Sequence, residues 1–341
     1  MNILVTGGFG FIGSNFILRF IDRDDINILN YDNLTYAGNK DNLKHIENYK
    51  NYEHVISDIC NEESARDVIR QFNPNIIIHF AAESHVDRSI EDPFKFIRTN
   101  IFGTSVLLNE SLKYYEDLSL ENKNKFKFIY ISTDEVYGSI PLGSFSEESN
   151  FAPNSPYSAS KASAEHLVRA WHKTFNLPVN ILNCTNNYGP LQYPEKLIPL
   201  TILNCIQNKP IPIYGDGKNV RDWIYVTDHC DAIYSVIKNA DIGQKYNIGS
   251  GYELMNIELV KIICSIMDSE RPSKLNKSYE ELITFVDDRP GHDFRYSLNI
   301  DKIRKELKWN PQEDINKGIE KTVKWYISNA DWLENLNKKG K

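Results

Sequence analysis

Cysteine is scarce and scattered in this chain of 341 residues: Cys60, Cys184, Cys205, Cys230 and Cys264, with no CxxC pair among them. Neither a zinc knuckle nor a disulfide framework is expected, no metal site is foreseen, and a reducing cytoplasm fits. Long hydrophobic runs are missing as well. The longest, near Ile76–Ala82, is far too short to span a bilayer. The opening Met1-Asn-Ile-Leu-Val-Thr6 has no basic stretch ahead of an apolar one, so no secretory leader is expected. A surplus of positive charge is also lacking. Lys and Arg number 39 against 46 Asp and Glu, a net charge of −7. That argues against nucleic acid or an anionic membrane as the main partner, while leaving room for a local basic pocket. No internal repeat or low-complexity segment is visible. What remains is 41% hydrophobic and 25% charged, the balance of an ordinary globular protein of one large or two closely joined domains.

The first half alternates between two kinds of segment. Strands are expected at 2–6, 27–31, 54–56, 75–80, 126–132 and 179–183, and helices at 11–22, 62–72, 92–115 and 157–175. This rhythm predicts an α/β fold: a doubly wound parallel sheet of the Rossmann type with helices on both faces. After about Gly189 the rhythm changes, and Pro190, Pro194, Pro199, Pro210 and Pro212 punctuate shorter elements. Helices are expected at 227–240, at 256–267 with Asn256 as its cap, at 299–307 and at 315–327. Residues 1–188 read as a dinucleotide-binding domain, with room for later segments to return to it. Residues 189–335 read as a smaller C-terminal substrate-binding lobe, and 338–341 as a frayed tail.

Gly7, Gly10 and Gly13 lie between the first strand and the first helix. Glycines there let the backbone turn tightly and approach a pyrophosphate, whose charge then sits at a helix N-terminus. Asp32 ends the second strand, 19 residues after Gly13. A carboxylate in that place accepts hydrogen bonds from an adenosine ribose and repels a 2′-phosphate, which favours NAD over NADP. A tight structural turn with a capping Asp is the plainer alternative. Asp58 either reaches toward an adenine or caps the helix beginning near Glu62. Ala81 and Ala82 are small residues at a strand's carboxyl edge, where the backbone passes close to a cofactor.

Tyr157 and Lys161 stand four apart, on one face of the expected helix. A nearby cation favours phenolate, so Tyr157 is a candidate base toward a sugar hydroxyl. The strand before it runs into Ser132-Thr133-Asp134-Glu135. A plain dehydrogenase needs only Thr, Tyr and Lys. The added pair of carboxylates points to further proton chemistry on the same substrate, such as an elimination, with mutual repulsion and burial raising one of their pKa values. A solvated acidic turn is the bland alternative.

These segments, together with Glu83–Ser89, Asn186–Pro190, Pro194–Pro199, Pro212–Gly215, Arg221-Asp-Trp223 and Asp288–His292, resemble the extended short-chain dehydrogenase/reductases that modify sugar nucleotides. Within that group the likeness is to the dTDP-glucose 4,6-dehydratases, over nearly the whole chain. Thr133-Asp134-Glu135 is its most specific part; related 4-epimerases give no role to such an acid pair. Phe9, Ser57, Asn183 and Thr185 depart from the usual residues.

The resemblance implies that Tyr157, helped by Lys161 and Thr133, takes the C4 hydroxyl proton of dTDP-glucose while hydride passes to NAD. Glu135 then removes the C5 proton, Asp134 protonates the departing C6 hydroxyl, and the hydride returns to C6. It also implies that Phe11, Ile12, Asp32, Asp58, Ile59, Ala81, Ala82, Thr99 and Asn187 join Tyr157 and Lys161 around NAD. Ser84, Thr133 and Asn186 would touch the sugar or diphosphate. Lys196, Leu197, Pro212, Tyr214, Arg221, Asn256, Arg289 and His292 would hold the nucleotide. Arg221 and Arg289 suit a diphosphate because a guanidinium presents a fork of donors; an interdomain salt bridge is the alternative for each. His79 and His85 carry the bland reading of packed side chains. A homodimer is implied, through a four-helix bundle built from the helices containing 100–115 and 157–175.

Overall fold

The computed structural model describes residues 1–274 and 276–339. Its centre is a seven-stranded parallel sheet. From edge to edge the strands are Lys245–Ile248, Val179–Cys184, Lys127–Thr133, Ile76–His79, Asn2–Thr6, Asn27–Asp32 and Tyr52–Ile56. The direction of the chain's progress reverses between Asn2–Thr6 and Ile76–His79, so a crevice opens there at the carboxyl ends of the strands.

Strands covered on both faces read as continuous apolar runs. Ile76 and Ile78 pack with Ile3, Val5, Ile129 and Ile131 on one face, while Ile77 packs with Leu4, Phe128 and Tyr130 on the other. The first face is covered by the helices Phe11–Phe20 and Val226–Asn239, and Asp301–Leu307 packs beside them. The second face is covered by Glu62–Phe72, Thr104–Asp117 and Pro156–Phe175. Thus three segments beyond residue 188, one of them a strand, pack on or within this sheet.

The bounds of Glu62–Phe72 agree with the sequence because its ends are written locally. Asn61 caps it by accepting the Ser64 amide, and Asn73 closes it in the left-handed region. The helix expected over 92–115 is instead broken in three. Asp92 caps a short turn, Pro93–Phe96; a π-helical segment, Ile97–Gly103, follows; and a regular helix, Thr104–Asp117, completes it. The wide turn brings buried Asn100 against Glu83, whose amide it accepts at 2.9 Å and whose carbonyl it donates to at 3.0 Å. Such bulges recur at functional sites.

The remaining elements form a second layer. Asn186–Tyr188, Val220–Tyr225 and Glu253–Met255 make a small mixed sheet, and Ile211–Tyr214 pairs in parallel with Ile283–Val286. Around them Tyr188, Ile202, Trp223, Val260, Ile263 and Tyr326 share a separate core with the helices Leu197–Gln207, Asn256–Glu270 and Ile315–Ser328. Pro199 sits in the first turn of Leu197–Gln207, where its missing N–H is no loss, so it does not break that helix. Asn256 is the first helical residue and not the cap; the cap is Met255, whose amide donates to Glu258 at 2.9 Å. The tail expected at 338–341 is helical as far as Lys339, in the element Ala330–Lys339, and residues 340 and 341 lie outside the described set. No helix among the described residues is long and apolar enough to cross a membrane.

Candidate active site

Gly7 leaves the first strand with φ +74°, and a Cβ on it would lie 2.6 Å from the Ala81 amide nitrogen. The smallest side chain at 7 and a small one at 81 therefore let two strand ends meet, and the loop stays flat against the crevice floor. The helix Phe11–Phe20 starts at Gly10 with no side-chain cap and no acidic residue in its first turn. Its first amides consequently face the crevice without an internal acceptor among the described residues, and its positive end is free for an anion. Asp32 ties the ends of this floor together. One carboxylate oxygen accepts the Phe9 amide at 2.9 Å and the other the Leu34 amide at 2.7 Å. Burial raises its pKa, and the two amide donors oppose the rise. Asp58 lies beyond the strand and accepts the Cys60 amide at 2.8 Å, so the helix cap is Asn61 and not Asp58.

A cavity of about 300 Å³ runs along this floor. Its wall contains Gly7, Gly10, Phe11, Ile12, Gly13, Asp32, Asp58, Ile59, Ala81, Ala82, Thr99 and Asn187 together with Thr133, Asp134, Glu135, Tyr157 and Lys161. Ser84, Asn186 and Lys196 also line it. The helix Pro156–Phe175 places the Tyr–Lys pair. Ser155 and Ser158 form a capping box, Pro156 starts the helix, Tyr157 falls in its first turn and Lys161 one turn on.

The acid pair begins at the carboxyl end of strand Lys127–Thr133. Asp134 is buried; Oδ1 accepts the Thr133 hydroxyl, and Oδ2 has no partner among the described residues. Burial, and then the Glu135 charge, raises its pKa well above the usual carboxylate value. Burial raises Glu135 too, while Arg289, Arg221 and Lys196 pull it back. The Tyr157 phenol is pushed well up by burial and next by Glu135, so it is protonated in the free protein. The phenolate-favouring effect expected of Lys161 does not prevail here. Lys161 donates to the Ile131 carbonyl at 2.7 Å over the Tyr130 ring, and burial brings it down to about 8.

A second group of predicted residues lies outside this cavity wall. Arg221 is buried in strand Val220–Tyr225, donates to the Val220, Asp293 and Phe294 carbonyls and lies over the Tyr296 ring. Tyr214 donates to Asp87 at 3.0 Å, Arg289 lies 3.7 Å from the same carboxylate, and His292 meets Asp288 at 2.6 Å. These residues reach the cavity through charge: Arg221 and Arg289 both act on Glu135. Pro212, Leu197 and Asn256 stand further into the second layer, on a strand and at two helix starts. His79 is a packed residue between the Thr6 and Thr104 hydroxyls, and burial lowers it to about 3. His85 is likewise lowered, to about 4.

The cavity also holds residues the sequence reading passed over: Thr35, Ala37 and Gly38 after Asp32, Cys184 and Thr185 at a strand end, and Gln192, Tyr193 and Glu195. The run Thr35-Tyr-Ala-Gly38, three small residues and a tyrosine beginning three positions after the strand-ending Asp32, was the available signal for the first set. Glu195 stood inside a motif already noted for its neighbour Lys196.

A sequence model of the GDP-mannose 4,6 dehydratase family matches residues 4–322. A dTDP-glucose 4,6-dehydratase of Shigella flexneri is 49% identical over 346 residues, covering 98% of this chain and 95% of that one. The dTDP-glucose 4,6-dehydratase of Streptomyces venezuelae, solved with NAD bound, superposes with a TM-score of 0.90 at 41% identity, covering 98% of this chain and all (100%) of that one. The UDP-glucose 4-epimerase of Thermotoga maritima is more distant, with 28% identity, a TM-score of 0.85 and coverage of 97% and 100%. The fold is thus common to dehydratases and epimerases, and sequence divides them: this chain belongs to the GDP-mannose 4,6-dehydratase family and, within it, to the dTDP-glucose 4,6-dehydratases.

Proposed function

We propose that this protein converts dTDP-glucose into dTDP-4-keto-6-deoxy-glucose and water, supplying precursor for deoxysugars such as rhamnose. The observation that carries this reading is the meeting, in one cavity, of the Tyr157–Lys161 pair with the buried acid Asp134 and the half-buried acid Glu135. NAD held here would supply a hydride acceptor for C4 and a hydride donor for C6, so that none would be consumed. The floor fits such a dinucleotide: uncapped amides at Phe11–Gly13 suit a pyrophosphate, and the Asp32 carboxylate suits a ribose diol. The residues around NAD are Gly7, Gly10, Gly13, Phe11, Ile12, Asp32, Asp58, Ile59, Ala81, Ala82, Thr99, Tyr157, Lys161 and Asn187.

Each catalytic side chain then has one task. Tyr157 first gives its own phenolic proton to solvent, with Lys161 offsetting the negative charge left on its oxygen, and as phenolate it then takes the C4 hydroxyl proton. Thr133 holds the same hydroxyl. Glu135, raised by burial but pulled back by Arg289, Arg221 and Lys196, removes in its ionised form the C5 proton made acidic by the C4 ketone. Asp134, kept protonated by burial, gives its proton to the leaving C6 hydroxyl. Direct loss of that hydroxyl would lack a stabilised carbanion, whereas the enolate spreads its charge onto the C4 oxygen.

Ser84 and Asn186 contact the sugar or the diphosphate. Lys196, Leu197, Pro212, Tyr214, Arg221, Asn256, Arg289 and His292 form the nucleotide side, which gives a cofactor domain, 1–188, and a mainly nucleotide-sugar lobe, 189–335, from which Val226–Asn239, Lys245–Ile248 and Asp301–Leu307 return to the first. The protein works in the cytoplasm as a homodimer through a four-helix bundle. Support comes from Phe94, Ile97 and Phe102, which leave apolar surface exposed on and before the segment Ile97–Gly103. Phe102→Glu should halve the mass measured by light scattering; an unchanged mass would remove this interface. For the reaction, the purified protein is incubated with a panel of nucleotide-glucoses and the products weighed by mass spectrometry. Loss of one water from dTDP-glucose is expected, and its absence overturns the proposal.

A further inference from the structure

Two loops from distant parts of the chain help to wall the cavity. One, 33–38, follows Asp32; the other, 192–196, follows Asn187. A direct bond joins them: Tyr36 donates its phenolic hydrogen to Glu195 Oε1 at 2.9 Å. Arg88, in helix Val86–Glu91, donates Nε to the other carboxylate oxygen at 3.0 Å, and its guanidinium carbon lies 3.9 Å from the centre of the Tyr36 ring. Tyr193 meets the same ring edge-on at 5.5 Å. Glu195 is largely buried, with 14% of its side chain exposed, so this is a shielded carboxylate holding two donors and not a solvated pair. Burial and Glu195 both raise the Tyr36 phenol, so it keeps its proton at any working pH.

The backbone adds a second observation. Leu34 has φ +50° in the first loop, and Leu191 has φ +70° beside the second. Both lie in the left-handed region, where a leucine Cβ crowds the following carbonyl. Neither shape is one the isolated segment would favour; Asp32 holds the Leu34 amide at 2.7 Å, and the contacts that join the two loops are those of Tyr36 with Glu195 and Tyr193, with Arg88 bound to Glu195 over the Tyr36 ring.

We propose that Tyr36, Glu195 and Arg88 form a clasp that retains NAD in the cavity from one turnover to the next. The proposal rests on the reaction given above. Because the hydride that leaves C4 comes back at C6, cofactor exchange has no place in the cycle, and a cavity that opens for the sugar nucleotide alone suffices. Tyr36 is outside the cavity wall while its neighbours Thr35 and Ala37 are in it, so it acts by positioning the loop and not by touching the dinucleotide.

The test is a cofactor exchange experiment on holoenzyme. Protein purified with its NAD is mixed with isotopically labelled NAD, and the bound pool is sampled over time by mass spectrometry. Tyr36→Phe keeps the ring under Arg88 and removes only the donor. It should exchange roughly tenfold to a hundredfold faster than wild type, the factor that one hydrogen bond to a carboxylate is worth. Glu195→Gln retains an acceptor for Tyr36 but loses the charge facing Arg88, and should exchange faster by a smaller factor. Diluted Tyr36→Phe should lose turnover in NAD-free buffer and regain it when NAD is added. Wild-type exchange rates in both variants would overturn the clasp and leave the reaction intact. A wild-type protein that binds no NAD at all would overturn both.

Discussion

Thr133 donates its hydroxyl hydrogen to Asp134 Oδ1 at 3.1 Å, and Thr133 Oγ1 accepts the Glu135 amide at 3.3 Å. One short side chain thus fixes two acids, but only one oxygen of Asp134 is satisfied; Oδ2 has no partner among the described residues. A buried carboxylate with half its acceptors unused is expensive in its charged form.

A stability prediction follows from the sign of that shift. The native state holds the Asp134 proton more tightly than the unfolded chain does, since burial raises its pKa. Native stability therefore falls as pH climbs from the unfolded carboxylate value, about 4, through the raised native one. Asp134→Asn cannot ionise, so its melting temperature relative to wild type should rise between pH 5 and pH 8. Each unit of raised pKa contributes about 1.4 kcal/mol to that gain. Thermal melts at several pH values decide it: a difference independent of pH means that Asp134 is ionised in the native protein.

Lys161 gives a kinetic counterpart. Burial lowers it to about 8, so its ammonium charge is lost as pH rises through that value. The profile of kcat/KM reports the free enzyme, and it should therefore fall on an alkaline limb near pH 8. Lys161→Arg stays charged and should lack that limb, at whatever rate it retains. A wild-type profile flat to pH 9.5 would detach Lys161 from the proton relay.

Asp32 should enforce the choice of cofactor. Its two oxygens already hold the Phe9 and Leu34 amides, which fixes the carboxylate in place. A 2′-phosphate would crowd this negative charge. Cofactor released from the purified protein and identified by chromatography should be NAD(H). A predominance of NADP(H) would sink the assignment.

Much of this was legible because it was written locally. The strand Ile76–His79 announced itself by its isoleucines, and helix Glu62–Phe72 by its caps. The glycine loop, Asp32, Tyr157 and Lys161 were found for the same reason: their spacing reflects one turn of helix or one strand end. Three-residue strands such as Asn186–Tyr188 have too few positions to show a period, and Pro199 hid helix Leu197–Gln207 by standing where a proline is harmless. The break within 92–115 depends on Asn100 finding Glu83, and the Tyr36–Glu195 bond joins residues 159 positions apart. No local pattern encodes either. Buried pKa values were least legible of all: spacing placed Lys161 beside Tyr157, but only the fold showed that burial outweighs it.

The acid pair separates dehydratase from epimerase. In the proposed mechanism Asp134 and Glu135 act after C4 oxidation, whereas Tyr157 and Lys161 act during it. Asp134→Asn should therefore still reduce bound NAD when given dTDP-glucose, seen as absorbance of NADH, yet release little 4-keto-6-deoxy product. Glu135→Gln should also block product, and should slow uptake of solvent deuterium at C5, because its carboxylate removes that proton. Tyr157→Phe is the contrast: with the phenolic oxygen gone, no bound NADH should accumulate at all. A general acid or base contributes roughly 10²–10⁴-fold, so each loss should be plain in a steady-state assay. The two acids share the wall with Tyr157; Asp134 is raised well above the usual carboxylate value, while Arg289, Arg221 and Lys196 pull Glu135 back, and it is this separation that an acid working beside a base requires. If both acid variants dehydrate at near the wild-type rate, the pair is structural and the elimination must use other groups. If the wild type interconverts C4 epimers without losing water, the epimerase chemistry of the structurally similar Thermotoga maritima enzyme is the better description of this site.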